Sequence, residues 1–389
     1  MKSDNLKRSN VCIVVPVYRN MLSHNEMISL CQCKKIFKNY DIIFLKPKGV
    51  FIDFVDHEKC IDVNKEYLTS RKKYSDYVLS LEFYDLFKTY TYMLIYQLDA
   101  FVFEDCLMEF CQYGYDYIGA PWIYGMECHT NRGEFWSVGN GGFSLRNINS
   151  FRNWILKYKD DIEYWKMILP EDMVIAVYGK EQLRIPPEEI AIKFAFDLNP
   201  ADCYKLNNMQ LPFGCHGWHK FECDFWKQQI NKYGYDVFIE KELSNETKVL
   251  MDGKARRALF EKYFNSRILE ICLKKVLRKY RGIVSIFGAG QYGFSFINMV
   301  RGTAIKIDFV YDNDIEKWGK TIEGIEIRPA CELKEKVNPV VLVAMLNPEV
   351  IVEQFEAMEL KRNDNYAFSR DLQYAMVEMG KDNKRDKIQ

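Results

Sequence analysis

Between Tyr92 and Asp105 the chain reads YMLIYQLDAFVFED. An apolar run from Tyr92 to Tyr96 stops at Gln97-Leu98-Asp99, and apolar residues resume from Ala100 to Phe103. A short run rich in Tyr, Ile and Leu predicts a strand buried on both faces and ending at Asp99. A carboxylate at the end of a buried strand is costly unless it is paired, hydrogen-bonded or bound to a cation. In open α/β sheets the carboxyl end of a strand is also where ligands bind. Asp99 is therefore a candidate metal or phosphate-site residue on physical grounds alone.

The organisation around this segment predicts an α/β fold. Val11–Tyr18 and Tyr40–Leu45 read as strands, Asn25–Phe37 and Ser75–Tyr90 as helices. Strand, helix, strand, helix, strand is the grammar of a parallel, doubly wound sheet. Tyr115–Pro121 is a further short strand, Val138–Arg146 carries three glycines before another, and Pro170–Tyr178 opens a helix with Pro-Glu-Asp at its start. At 389 residues the chain is too long for one ordinary core, and two domains are expected. A strongly basic helical stretch, 254–281, follows Gly234, and βαβ grammar then restarts at Ile283. The boundaries read as 1–245, a linker 246–281, a small α/β domain 282–380, and a disordered tail 381–389.

Composition excludes some functions. Lys+Arg and Asp+Glu both total 54, so net charge predicts no nucleic-acid partner. No apolar stretch reaches spanning length, and the polar start MKSDNLKRSN leads straight into a strand rather than a leader. Twelve scattered cysteines fit a reducing compartment, so a cytoplasmic protein is expected. The basic helix 254–281 could rest peripherally on the inner face of the plasma membrane, although such a run is more commonly a solvated face.

Four polar clusters interrupt apolar surroundings before residue 220: Gln97-Leu98-Asp99, Gly139 to Arg146 (GNGGFSLR), Pro170-Glu171-Asp172, and His216-Gly217-Trp218-His219. Singly, each has an ordinary structural explanation: a strand cap, a tight turn, a helix-dipole carboxylate pair, core histidines. Together they meet the needs of nucleotide-sugar transfer. A diphosphate leaving group calls for a hard divalent cation on carboxylate oxygens, with imidazole acceptable to Mn2+. An acceptor hydroxyl calls for a carboxylate base, and glycines let the backbone approach a sugar. Cys215, His216, His219 and Cys223 also lie close enough to raise a zinc site, without the paired spacing of zinc modules.

The segments IVVPVYR, YDIIFLKPKG, YQLDAFVF, YDYIGAPW, GNGGFSLRN, PEDM and FGCHGWHK resemble an uncharacterised bacterial family assigned to glycosyl transfer on the GT-A fold, found near surface-polysaccharide genes. The resemblance runs from about Val11 to Lys220. It implies that Asp99 is the last Asp of a DxD motif and binds Mn2+ or Mg2+, with Gln97 standing where the first Asp belongs. It implies that His216 is the late metal ligand, with His219 as the alternative, and that Asp172, beside Glu171, is the base. Gly141, Gly142 and Ser144 would line the donor-sugar and acceptor side. Pro16, Val17 and Tyr18 would end the first strand at the nucleotide base.

In the carboxy-terminal stretch, Gly288-Ala289-Gly290-Gln291-Tyr292-Gly293 follows a strand and precedes a helix, and Asp312 ends the next strand. Gly288, Gly290, Gly293 and Asp312 thus match a dinucleotide fingerprint on a Rossmann-like unit. The unit is only half a full dinucleotide fold, so a redox NAD(P) is not expected. The expectation is a metal-dependent glycosyltransferase moving a sugar from a nucleoside diphosphate to a surface glycan or lipid-linked acceptor. Its rivals are a non-catalytic nucleotide-sugar scaffold, favoured by Gln97, and an NAD(P)-linked sugar oxidoreductase.

Overall fold

The computed structural model describes residues 6–55, 58–123, 138–220, 222–237 and 266–385. The chain divides into two compact units, the first within Met1–Ile123, Ser137–Lys166 and Pro170–Ser244, the second mainly within Asn245–Gln389.

Among the described residues the first unit holds nine strands: β1 (Val11–Pro16), β2 (Asp41–Pro47), β3 (Cys60–Val63), β4 (Tyr92–Tyr96), β5 (Ala100–Val102), β6 (Tyr117–Ile118), β7 (Phe143–Asn147), β8 (Ala195–Phe196) and β9 (Gly214–His216). Six form an open sheet in the order β3-β2-β1-β4-β7-β6. The β3-β2-β1-β4 part is parallel, whereas β7 runs antiparallel to β4 and β6. The parallel arrangement expected from strand–helix alternation holds for β3-β2-β1-β4, and β7 adds an antiparallel part that makes the sheet mixed. The central strands β1 and β4 are buried along their whole length, as their apolar runs require. Phe37, Tyr96, Phe143 and Phe213 share one aromatic core.

Two local expectations also change. The helix His24–Ile36 starts at a capping box, Ser23 taking the Glu26 N–H and Glu26 returning to the Ser23 N–H at 2.8 Å. The expected single helix Ser75–Tyr90 is two, Arg71–Tyr77 and Leu81–Asp85, because Ser80 caps a second start by accepting from the Phe83 N–H. The strand expected to end at Asp99 ends at Tyr96. Gln97–Asp99 is a turn, and Ala100–Val102 joins a separate three-stranded sheet, β5-β9-β8.

The second unit holds β10 (Ile283–Phe287), β11 (Lys306–Asp312), β12 (Thr321–Ile322), β13 (Ile325–Pro329), β14 (Val341–Val343) and β15 (Tyr366–Phe368). Their order is β12-β13-β11-β10-β14-β15, parallel except for the β12 edge, which makes a doubly wound sheet whose order reverses beside β10. Of the basic stretch, Lys254, Arg256, Arg257 and Lys262 lie outside the described residues, and the described helix there is Ser266–Val276. The last helix, Ser369–Arg385, runs into the stretch from Lys381 that was expected to be disordered. Among the described residues no helix is long and apolar enough to cross a membrane.

Candidate active site

The small sheet is what assembles the site. Antiparallel pairing of β5 with β9 sets Ala100 opposite His216, and parallel pairing of β8 with β9 sets Phe196 opposite Cys215. One further step in each register brings Asp99 and Asp197 to either side of His216. The bend before β5 is fixed by the Ala100 carbonyl, which accepts from Ser29 Oγ at 2.5 Å and Trp218 Nε1 at 3.3 Å. On the other flank, the Gln97 N–H donates to the Gly142 carbonyl at 2.8 Å, extending the β4–β7 ladder and placing Gln97 against the glycine turn.

The resulting contacts are direct. His216 Nε2 lies 3.0 Å from Asp99 Oδ1 and 3.3 Å from Gln97 Oε1. Its Nδ1 faces Asn140 Nδ2 at 2.9 Å and Asp197 Oδ1 at 3.4 Å. Lys220 Nζ takes the second oxygen of Asp99. Asn140 has a left-handed backbone, φ 73°, and its Oδ1 accepts from the N–H groups of Gly142 at 2.9 Å and Phe143 at 3.1 Å. Those two bonds aim its NH2 at the imidazole. Glycine at 142 leaves room for the site, because a Cβ there would run into His216 Nε2 and Gln97 Oε1.

Charge follows geometry. Burial pushes the Asp99 carboxyl up, but His216 and Lys220 outweigh it and hold Asp99 well below the usual carboxylate range. Burial pulls the His216 imidazole down, while Asp99 and Asp197 raise it, to about 9. Burial raises the Asp172 carboxyl, with Arg71 opposing and Asp197 adding to the rise. Its Oδ1 accepts from the Met173 N–H at 2.9 Å at the start of the helix Glu171–Val177.

Several expected site residues find other places. Glu171 is buried, and burial raises its carboxyl while Arg146, with which it forms an ion pair, opposes the rise. Ser144 does not line a cleft: it is wholly buried, donating to the Gly141 carbonyl and accepting from Arg146 Nε, both at 3.1 Å. Gly141 abuts the Glu171 carboxylate, where a Cβ would not fit. Pro16 closes β1 and the Val17 N–H bonds Leu45, while Tyr18 is 56% exposed at the carboxyl ends of the parallel strands, with Arg19 over its ring. His216 is the histidine that meets Asp99, whereas His219 packs edge-on against Trp218. The zinc reading gains no support, since among the described residues Cys215, His216, His219 and Cys223 do not converge on one point, and the Cys223 thiol donates to the His219 carbonyl. Asn140, Arg146, Asp197 and Lys220 are participants that the motif reading did not single out. Lys220 was the most findable, as a cation four residues after His216.

The residues fit a hard divalent cation in part. Two ligands at right angles on bonds of 2.0–2.6 Å lie about 3 Å apart, the separation of Asp99 Oδ1 and His216 Nε2. Among the described residues no three His, Cys, Asp or Glu side chains converge on one point. A cation here would rest on Asp99, His216 and the neutral Gln97 oxygen, and ligand oxygens would complete it. Nδ1–H would then need an acceptor, which Asp197 offers and the Asn140 amide does not.

In the second unit, Gly288 turns the chain after β10 at φ 111°, and Gly290 and Gly293 flank the start of the helix Gln291–Val300. Asp312 is already engaged. Its Oδ2 accepts from the Ala289 N–H at 2.7 Å and lies 3.4 Å from Lys317 Nζ, which also donates to the Ala289 carbonyl at 3.1 Å.

Residues 58–216 match the profile of a family described as a protein of unknown function, DUF5672. No protein of curated function matches the chain by sequence. Among solved structures, the chain is similar to the galactosyltransferase LgtC in complex with donor and acceptor sugar analogues, at 14% identity and TM-score 0.37, over 59% of this chain and 98% of that one. It is similar to the apo-form glycosyltransferase GlyE of Streptococcus pneumoniae TIGR4, at 12% identity and TM-score 0.36, over 90% of each chain. A third is core-mannan synthase A of Aspergillus fumigatus in its Mn/GDP form, at 12% identity and TM-score 0.31, over 47% of this chain and 73% of that one.

Proposed function

We propose that the first unit transfers a sugar from a nucleoside-diphosphate donor to a hydroxyl of a surface glycan or lipid-linked precursor, with Mn2+ or Mg2+ on the diphosphate. The observation that carries this reading is the meeting of Asp99 and His216 at 3.0 Å, beside Gln97 and the Gly142 backbone, at the ligand-binding end of the sheet. Asp99 and His216, with Gln97 supplying a neutral oxygen, would hold the cation, and its chemistry there is neutralisation of charge on the departing diphosphate. Lys220, on the same carboxylate, is placed to share a phosphate oxygen. Tyr18 offers an exposed ring for a nucleotide base. Asp172 is the carboxylate left to accept the acceptor hydroxyl proton, because Glu171 is held by Arg146.

The second unit reads as a Rossmann-like domain whose fingerprint serves the turn rather than a dinucleotide. A peripheral membrane contact through 254–281 stays part of this proposal. Incubation with a panel of nucleotide sugars and Mn2+, followed by detection of free nucleoside diphosphate, tests the reading. Turnover is expected for one donor and is lost in Asp99→Ala and Asp172→Ala. Wild-type turnover in both variants would remove the assignment.

A further inference from the structure

The first unit buries a charged pair that none of the steps above uses. Arg146 is 0% exposed and Glu171 6%, and the guanidinium meets the carboxylate directly. Replacing such a pair with apolar side chains commonly leaves a protein as stable or more so, so stability alone is a poor reason for having it. Its contacts suggest another reason. From β7, the guanidinium donates to Tyr84 Oη at 3.1 Å on the helix Leu81–Asp85, to Ser144 Oγ at 3.1 Å, and to the Gly141 carbonyl at 3.4 Å. Its ion-pair partner, Glu171, is the first residue of the acidic helix, whose N–H donates to Ser75 Oγ at 2.7 Å. Gly141 leaves room for that carboxylate because it has no Cβ.

One side chain thus ties the glycine turn, which touches His216 through Gly142 and Asn140, to the residue preceding Asp172. We infer that Arg146 and Glu171 are a positioning pair. They lock the acidic helix to the glycine turn so that Asp172 keeps a fixed place relative to the Asp99–His216 centre, without either residue touching substrate. This inference rests on the proposed sugar transfer and adds the device that holds its base in register. A planar, forked guanidinium suits this task, since its donors have fixed relative directions that lysine lacks.

The test compares Glu171→Leu, the double variant Arg146→Met/Glu171→Leu and Arg146→Lys with wild type, in thermal melts and in steady-state turnover of the nucleotide sugar that wild type uses. Glu171→Leu, which leaves the guanidinium buried and unpaired, is expected to melt well below wild type. The double variant is expected to recover the wild-type melting temperature within a few degrees while kcat stays at least tenfold down and donor KM is unchanged. Arg146→Lys is expected to fold, to lose kcat in the same way, and to shift the acid limb of the pH profile. A double variant with wild-type melting and wild-type kcat would overturn the inference, as would Arg146→Lys with unaltered kcat and pH profile if the double variant does not fold. Asp172→Asn separates the two levels of argument. If it is inactive while the pair variants are normal, only the positioning role falls; if it is fully active, the reading of Asp172 as base falls with it.

Discussion

Burial raises the Asp172 carboxyl above its ordinary value of 3.8, with Arg71 opposing and Asp197 adding to the rise. A base must be ionised to act, so kcat/KM is expected to fall with falling pH through an acid limb that lies above 3.8. Asp172→Asn should lower kcat by about a hundredfold or more, the usual worth of a positioned base. The sign for stability is opposite. A carboxyl whose folded pKa is raised favours the folded state more as pH falls through that value, so its ionised form costs stability near neutrality. Asp172→Asn should therefore melt no lower than wild type at pH 7 while losing turnover. A variant that lost both together would mark Asp172 as structural. At this scale the sequence was a good guide to residue type and a poor guide to partners. The polar interruption at Asp99 and the carboxylates at Glu171 and Asp172 stood out, but nothing in the text PEDM says which of the two meets a buried arginine. That choice is made by Arg146 on a strand formed elsewhere.

The three-stranded sheet β5-β9-β8 is the element on which the site depends. Its strands are three, three and two residues long, too short for periodicity to announce them. This explains why Ala100–Val102 showed only as apolar residues resuming after the expected strand end at Asp99, although it forms a strand of another sheet. It also explains why Asp197 stayed hidden, since its role comes from register opposite His216 and not from any motif. The longer strands β1, β2, β4 and β10 were legible from largely buried apolar runs, and β11 from its place in the βαβ grammar. Gly142 gives the element a direct test. Gly142→Ala pushes a methyl group into His216 Nε2 and Gln97 Oε1, a crowding worth about 1–3 kcal/mol of stability. The protein should still fold, and calorimetric Mn2+ affinity should drop at least tenfold. Unchanged Mn2+ binding would move the cation away from His216.

For the molecule as a whole, the two sheets differ in what their ligand-binding ends leave free. The first unit gathers Asp99, His216 and Lys220 there, paired with one another beside the Gly142 backbone. The second has drawn Asp312 into bonds with Ala289 and Lys317, so the carboxylate that would receive a ribose hydroxyl in a dinucleotide fold is already taken. Equilibrium dialysis of the full chain against NADH and NADPH is expected to show no saturable binding at millimolar cofactor. Saturable binding would revive the oxidoreductase alternative. The pairing of β5 with β9 has a bearing on synthesis as well. Gln97 and His216 are 119 residues apart, so the Asp99–His216 centre cannot exist on a ribosome-bound chain until β9 has emerged. Contacts this distant in sequence close late, because loop-closure entropy must be overcome before they form. A nascent chain could build β1, β2 and β4 early and still offer nucleotide sugars nothing to react on. Competence for the proposed sugar transfer would then arrive with β9, the last described strand of the unit.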